Sequence, residues 1–297
     1  MSEDDFDFTR PQEGKASAPF KAASSRFYNS GAAEMLFRQN GREERYANGQ
    51  NIFVEDEKVT KGGLFKAPSR MYFIAVGEVL LTMGPRPLDT VKKGEIFGEM
   101  AVISGRPRSA SASARGDCTL FSMDADELQG AIGRNPEFAL MLASVMYDRL
   151  RFIAQRLAQR KLEPGSVARE ATVFEPALVQ QLVSALPPGA IVRYPRETII
   201  FKEGQAGNFM YLVKSGRVAI AVGANVVEVI GPGGTFGEMA VVDQSPRTAR
   251  AGALEESELV SIARDALLGL IKKQPAFAMT LLRGIADRLR HMNTLLQ

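Results

Sequence analysis

The sequence predicts two copies of one mainly β domain, each flanked by α-helices. Length, an internal repeat and a change of periodicity within each copy carry this expectation. The chain has 297 residues, which at roughly 150 residues per domain leaves room for two. Met71 to Ala158 lies against Met210 to Gln297 without a gap, and about 32 of the 88 paired positions are identical. A period of that length marks two copies of a whole domain rather than a solenoid unit. Within each copy, short apolar runs give way to helical spacing.

The runs Ile199 to Phe201, Met210 to Val213, Val218 to Val222 and Val226 to Ile230 are strand candidates. Gly204, Gly207, Gly216, Gly223 and Gly231 separate them, the punctuation of an all-β domain. Phe277, Leu281, Leu282, Ile285, Leu289, Met292 and Leu296 then recur at helical spacing, with Pro275 near the start. Phe138, Leu142, Val145, Arg149, Phe152 and Ile153 repeat that arrangement in the first copy, and a helix over Pro176 to Leu186 leads into the second. Upstream of Met71 the copies differ. The first carries about nine extra residues, in a loop with Lys58, Lys61, Gly62, Gly63, Lys66 and Pro68, and lacks the turn EGQAGN. The expected organisation is a mobile tail over 1–30, a first domain over 31–160, a linker over 161–173 with Pro164 and Gly165, and a second domain over 174–297.

Composition narrows the function. Hydrophobic residues make up 45% and charged residues 24%, as in ordinary globular proteins. No apolar run approaches the ~20 residues of a membrane span, and the acidic start MSEDDFDF is unlike a secretory signal. One cysteine, Cys118, excludes an internal disulfide and reads as a small apolar filler. One histidine, His291, reads as an exposed helix residue and argues against a histidine-ligated metal or a histidine-based triad. There is no Gly-rich Walker loop. The chain therefore reads as a cytoplasmic protein that is not an enzyme, with no catalytic and no metal residues. Net charge is only +3 with basic and acidic residues interleaved, which gives DNA binding little support.

The chemistry sits in FGEMAVVDQSPRTA. Gly237 lets backbone approach a ligand closely, and Glu238 to Val241 can start a helical turn whose first N–H groups suit an anion. Arg247, nine residues after Glu238, can make paired hydrogen bonds to phosphate. Glu238 can accept from a sugar hydroxyl, and Thr248 adds a hydroxyl. Such a set suits a ligand with one phosphate and one ribose hydroxyl. The first copy repeats it with Gly98, Glu99, Met100, Ala101, Pro107, Arg108, Ser109 and Ala110.

FGEMAVISGRPRSASASA and FGEMAVVDQSPRTARAGA resemble the phosphate-binding cassette of cyclic nucleotide-binding domains, and IFKEGQAGNFMYLVKSGRV resembles the preceding strands. The tandem arrangement is similar to the regulatory subunit of cAMP-dependent protein kinase. The resemblance implies a mainly β fold with flanking α-helices: two tandem cyclic nucleotide-binding jelly-roll β-barrels. It implies that Glu99 and Glu238 hold the ribose 2′-hydroxyl, and that Arg108 and Arg247 hold the cyclic phosphate. Backbone amides around Gly98, Glu99 and Ala101, and around Gly237, Glu238 and Ala240, would complete each phosphate pocket. The full ligand set is Phe97, Gly98, Glu99, Met100, Ala101, Arg108, Ser109 and Ala110, with Phe236, Gly237, Glu238, Met239, Ala240, Arg247, Thr248 and Ala249.

The expected ligand is cAMP, with cGMP open because Ser109 and Thr248 follow the arginines. No metal is expected. The expected function is a sensor that changes conformation on binding and signals to an unidentified effector protein. A cyclic dinucleotide receptor, and a non-sensing scaffold assembling as a homodimer through Leu282, Ile285, Leu289, Met292 and Leu296, are the alternatives. Neither a winged helix-turn-helix nor an Arg-Arg inhibitor sequence stands out, so the DNA-binding and kinase-inhibiting outputs of such relatives lack their usual parts and no DNA partner is expected; without a membrane-length apolar run no membrane partner is expected either. Tyr147, Phe152, His291 and Met292 lie on the terminal helices, where relatives often cap the base; their spacing equally suits core packing.

Overall fold

The computed structural model describes residues 27–58, 68–158, 169–171, 174–187, 189–242 and 244–294. Residues 1–26 of the expected tail, the insertion around Lys61, Gly62, Gly63 and Lys66, most of the expected linker, and Leu296 lie outside that set. The chain divides into two compact units, Tyr28–Met141 and a second that takes in Leu142–Gln297.

In the first unit, Asn29 opens helix α1 (Ser30–Asn40) by accepting from the Ala32 amide at 2.9 Å. The Tyr28 hydroxyl donates to the Gly94 carbonyl at 2.6 Å, so the fold engages the chain ahead of residue 31. Ala33, Leu36 and Phe37 form the buried face of α1. Strands β1 (Arg42–Tyr46), β2 (Asn51–Phe53), β3 (Met71–Met83), β4 (Arg86–Lys92) and β5 (Ile96–Phe97) are followed by helix α2 (Glu99–Ser104) and strand β6 (Ser111–Met123). They make one antiparallel sheet in the order β1-β6-β3-β4, with β2 on β6 and β5 on β3. The long β3–β6 ladder shifts register around Gly77. That glycine has φ +91°, and a Cβ there would lie 2.6 Å from Cys118 Sγ. Cys118 is buried filler, as expected, and burial pushes its thiol pKa up. Helix α3 (Ala125–Arg134) starts with a capping box between Asp124 and Glu127. Helix α4 (Glu137–Ala158) then runs across the division, counted with the second unit from Leu142 onward.

The second unit repeats the plan. Strand β7 (Arg169–Ala171) lies inside the expected linker, and helix α5 (Pro176–Ala185) begins with proline at its first turn. Strands β8 (Ile191–Tyr194), β9 (Ile199–Phe201), β10 (Phe209–Ser215), β11 (Val218–Val222), β12 (Asn225–Ile230) and β13 (Thr235–Phe236) precede helix α6 (Glu238–Val242). Strands β14 (Arg250–Ala253) and β15 (Ser257–Ala263) lead to helices α7 (Arg264–Lys273) and α8 (Pro275–Thr294). Two sheets result, β13-β10-β15-β8 and β7-β12-β11-β14-β9, around a core of Phe201, Val213, Val218, Ile230, Phe236 and Leu259. The β7–β12 pair is parallel and the others antiparallel. Antiparallel sheets with helices at their ends are what the resemblance implied. Among the described residues the ladders leave open edges rather than a closed barrel.

The expected dimer stripe needs correction. Leu282, Ile285, Leu289 and Met292 are buried within the chain's own second unit, so they form core rather than an exposed contact face. His291 is half-buried rather than exposed. No helix among the described residues is long and apolar enough to cross a membrane.

A charged knot fastens the first unit. Arg70 is 4% exposed and donates through Nε to Ser122 Oγ at 2.7 Å. It also pairs with Asp124 at 3.2 Å, with Glu44 at 3.6 Å, and with Glu127. Burial would raise the Glu44 pKa, but hydrogen bonds from Ser122, Tyr46 and Arg42 outweigh it and hold the carboxyl below its usual value. Such a group stabilises the fold above its ordinary pKa, and that contribution is lost as pH falls through the lowered native value. The repeat places Phe209, 42% exposed, where the first copy has Arg70. Arg70→Ala strands the carboxylates and should cost about 3 kcal/mol in urea denaturation followed by a probe in the first unit. Phe209→Ala should cost less than about 1 kcal/mol; equal losses would contradict this account.

Candidate functional site

The cassette folds around one buried guanidinium in each repeat. In the second, β13 pairs with β10 and delivers the chain to Gly237, which takes φ +76° and opens α6. The Arg247 backbone is pinned to the turn after β9: its amide donates to Gln205 O at 2.9 Å, and its carbonyl accepts from Gly204 N at 2.7 Å. The side chain then reaches inward. Nη1 donates to Gly237 O and Nη2 to Phe209 O, both at 2.7 Å. Its Cζ lies 4.1 Å from the Phe201 ring centroid, a cation–π contact. Phe201, Tyr211 and Phe236 stack as a plate, with centroids 5.2 to 6.3 Å apart. A Cβ on Gly207 would sit 2.4 Å from Arg247 Cζ, and one on Gly237 2.5 Å from Nη1. Both positions must be glycine for the arginine to enter.

The first repeat reproduces the clasp. Arg108 donates from Nη1 to Gly98 O at 2.9 Å and from Nη2 to Arg70 O at 2.7 Å, with Cζ 4.0 Å from the Phe53 centroid. Phe53, Tyr72 and Phe97 form its plate. The turn that the sequence showed as lost keeps its bonding: Arg108 N donates to Glu57 O, and Asp56 N donates to Arg108 O, each at 2.9 Å. Asp56 takes φ +61° where the second repeat has Gly204, a conformation Asp tolerates better than most residues. Glu99 and Ala101 are buried, Ala110 is 9% exposed, and Met100 and Ser109 are half-buried.

Burial lowers the pKa of both arginines. Neither has an ion pair among the described residues, and the Nε of each is buried without a hydrogen-bond partner there. A buried cation with an unmet donor favours an anion.

The expected second-repeat residues Phe236, Gly237, Glu238, Met239, Ala240, Arg247, Thr248 and Ala249 all line one cleft of about 680 Å³, its open mouth included. Ile220, Val222 and Val227 supply an apolar wall. The Thr248 hydroxyl points at Met239 Sδ, 3.2 Å away. Of the four residues considered as caps, Tyr147 and Met292 line the cleft. Phe152 instead packs under the Arg156 guanidinium.

Sequence reasoning missed Arg288 and Glu228. Arg288, on α8, donates to Glu238 Oε1 at 2.8 Å, pairs with Glu228 at 3.0 Å, and donates to Thr235 O. Burial alone would lower its pKa, but the Glu228 and Glu238 carboxylates raise it and hold it charged. The signal was present: Arg288 shares a helical face with Leu281, Ile285 and Met292, a charge set into an apolar stripe. Among the described residues there is no cluster of histidine, cysteine or carboxylates that could hold a metal.

The cyclic nucleotide-binding domain profile matches residues 43–135 and 191–274. The chain belongs to that family, as two tandem copies. It is 37% identical over 124 residues to the CRP-like cAMP-activated global transcriptional regulator of Mycobacterium tuberculosis, covering 40% of this chain and 54% of that protein. It is 29% identical over 185 residues to the cAMP-dependent protein kinase regulatory subunit of Blumeria graminis, covering 61% of this chain and 42% of that one. Similarity to the cGMP-dependent protein kinase of Toxoplasma gondii is 26% over 217 residues, covering 72% of this chain and 19% of the kinase. The chain thus spans about half the length of the first relative and less of the others. The matched segments stop short of α4 and α8, so Tyr147, Leu150, Arg288 and Met292 lie outside them.

Arg288→Met keeps the helix and the volume but leaves Glu228 and Glu238 buried without their cation. Chemical denaturation should show a loss of about 3 kcal/mol. No loss would mean the two carboxylates do not depend on Arg288.

Proposed function

We propose that this protein is a cyclic nucleotide sensor with two sites, in which Arg247 and Arg108 receive the cyclic phosphate and Glu238 and Glu99 receive the ribose hydroxyl. The observation that carries this reading is the buried arginine clasp. Each guanidinium is desolvated, backed by an aromatic plate, and left with a buried Nε–H lacking a partner among the described residues. A cyclic nucleotide's phosphodiester would satisfy that donor and return a counter-charge to the cation. Membership of the family and the glycine-shaped approach at Gly98 and Gly237 support the same ligand.

The regulator and the kinase subunit among the relatives are named for cAMP. Together they favour cAMP, while the similarity to a cGMP-dependent kinase keeps cGMP as the second candidate. The protein acts by binding rather than by catalysis, and its output goes to an effector protein. A link from ligand to output is built into the second site. Glu238, the proposed acceptor for the ribose hydroxyl, is already bonded to Arg288 on α8. A ligand that engages Glu238 competes with or reorients that ion pair, so binding bears directly on the helix. The ligand moves that equilibrium only by its differential affinity for the two arrangements.

Calorimetric titration of refolded protein, freed of carried-over nucleotide, tests this. Two molecules of cAMP should bind per chain. Arg247→Glu should remove one site and Arg108→Glu the other, each weakening its site by roughly thirtyfold or more. Two unaltered sites in either variant would contradict the assignment of that arginine.

A further inference from the structure

Helix α6 carries Glu238, Met239 and Ala240 into the second cleft, so whatever fixes its far end bears on the shape of that cleft. The two repeats finish this helix differently. In the first, Gly105 closes α2 with φ +69°, and its amide donates to Ala101 O at 2.9 Å. The repeat puts Gln244 in that place at φ +54°, a conformation that costs any residue with a Cβ. The last carbonyls of α6 are met by Arg264, whose Nη1 donates to Val241 O at 2.7 Å and to Val242 O. Arg264 is an unfavourable residue for its own helix. It opens α7, where a cation opposes the helix dipole, and Ala263 gives that start no side-chain cap. The first repeat has Asp124 and Ala125 at these two positions, with a capping box. The arginine thus serves α6 rather than α7.

A ring from outside both repeats lies over that guanidinium. Phe27, ahead of α1, has its ring centroid 4.9 Å from Arg264 Cζ, a cation–π contact between two half-buried residues. Phe27 is counted with the second compact unit. We infer that Phe27 is a positioning residue for the second cleft: it holds Arg264 on the closing carbonyls of α6, so the segment ahead of α1 tunes that cleft's affinity. This rests on the nucleotide reading of the cleft. An arginine side chain has many rotamers, and few of them keep it on two neighbouring carbonyls. A ring stacked on the guanidinium plane restricts it and keeps water from competing for those bonds. The first repeat needs no such ring, because Ala125 carries no charge to hold and Gly105 closes α2 from within. Next in the chain, Tyr28 donates to Gly94 O, two residues before β5 and the first cassette. Consecutive residues thus engage the two repeats, which gives the first a short covalent path to Arg264.

The test uses full-length protein carrying Arg108→Glu, which silences the first site and leaves one site to read. Phe27→Ala removes the ring, Phe27→Tyr keeps it, and Arg264→Met removes the guanidinium; Arg264→Gln serves if the methionine variant does not fold. Phe27→Ala should weaken cAMP about fivefold by calorimetry, with Phe27→Tyr within about twofold of the parent. In the Arg264→Met background, Phe27→Ala should change affinity by less than about twofold, since the ring then has nothing to hold. Hydrogen exchange of the amides of residues 238–242, followed without nucleotide, should speed up in Phe27→Ala and not in Phe27→Tyr. Unchanged affinity or unchanged exchange in Phe27→Ala would overturn the inference, as would the same fivefold loss on top of Arg264→Met. A folded Arg108→Glu parent that binds no cAMP would instead defeat the nucleotide reading, and the exchange rates would still show whether Phe27 holds α6.

Discussion

A guanidinium buried without an ion pair is the constraint around which each repeat is arranged. Taking an arginine out of water costs several kcal/mol unless other groups compensate. Here two backbone carbonyls and one aromatic face do so in part. Everything close to Arg247 follows from that requirement. Gly207 and Gly237 are glycines because a Cβ at either would collide with the guanidinium. Phe201, Tyr211 and Phe236 come from three different strands to form its floor. The loop bearing Arg247 is held by two backbone hydrogen bonds to a turn more than forty residues earlier. The compensation stops short of Nε, which among the described residues is left as a buried donor that an anion would satisfy.

The two repeats solve the same problem with different neighbours. In the first, the carbonyl that receives Arg108 belongs to Arg70, whose side chain is locked to Ser122 and to the capping box of α3. The end of that site that carries Arg108 is thereby coupled to a helix start. In the second, the corresponding carbonyl belongs to Phe209, which has no charge to spread. The ionic network moves to the other side of the pocket, where Arg288 binds Glu228 and Glu238. One repeat couples its clasp to α3, the other its acidic end to α8. The two repeats share the cassette, and the divergent residues around it set which helix is attached to it.

Much of this was legible in the sequence because it is local or repeated. The cassette stands out since Glu238 and Arg247 are nine residues apart and recur as Glu99 and Arg108. The amphipathic periodicity of α8 and the proline at its start were equally direct. Contacts between distant segments were not legible. Arg288 meets Glu238 across 50 positions and Glu228 across 60, and nothing in a linear pattern names those partners. The apolar stripe of α8 identified a buried face but not what would bury it, which is why a dimer contact was expected. The turn after Phe53 lost its glycine-rich signature yet kept its backbone bonds, because Asp56 can hold the same left-handed conformation as Gly204. Tyr147 was flagged by its place on a terminal helix, but the cleft it enters could not be assigned from its own repeat.

The central claim is that the buried arginine, and not another cation of the pocket, receives the ligand's phosphate. A crystal structure of the protein with cAMP tests it most directly. The account predicts a cyclic phosphate oxygen within hydrogen-bonding distance of Arg247 Nε, with the guanidinium still seated on Phe201 and the ribose hydroxyl at Glu238. A nucleotide whose phosphate is held by Arg288 instead, with Arg247 Nε still without a partner, would contradict it.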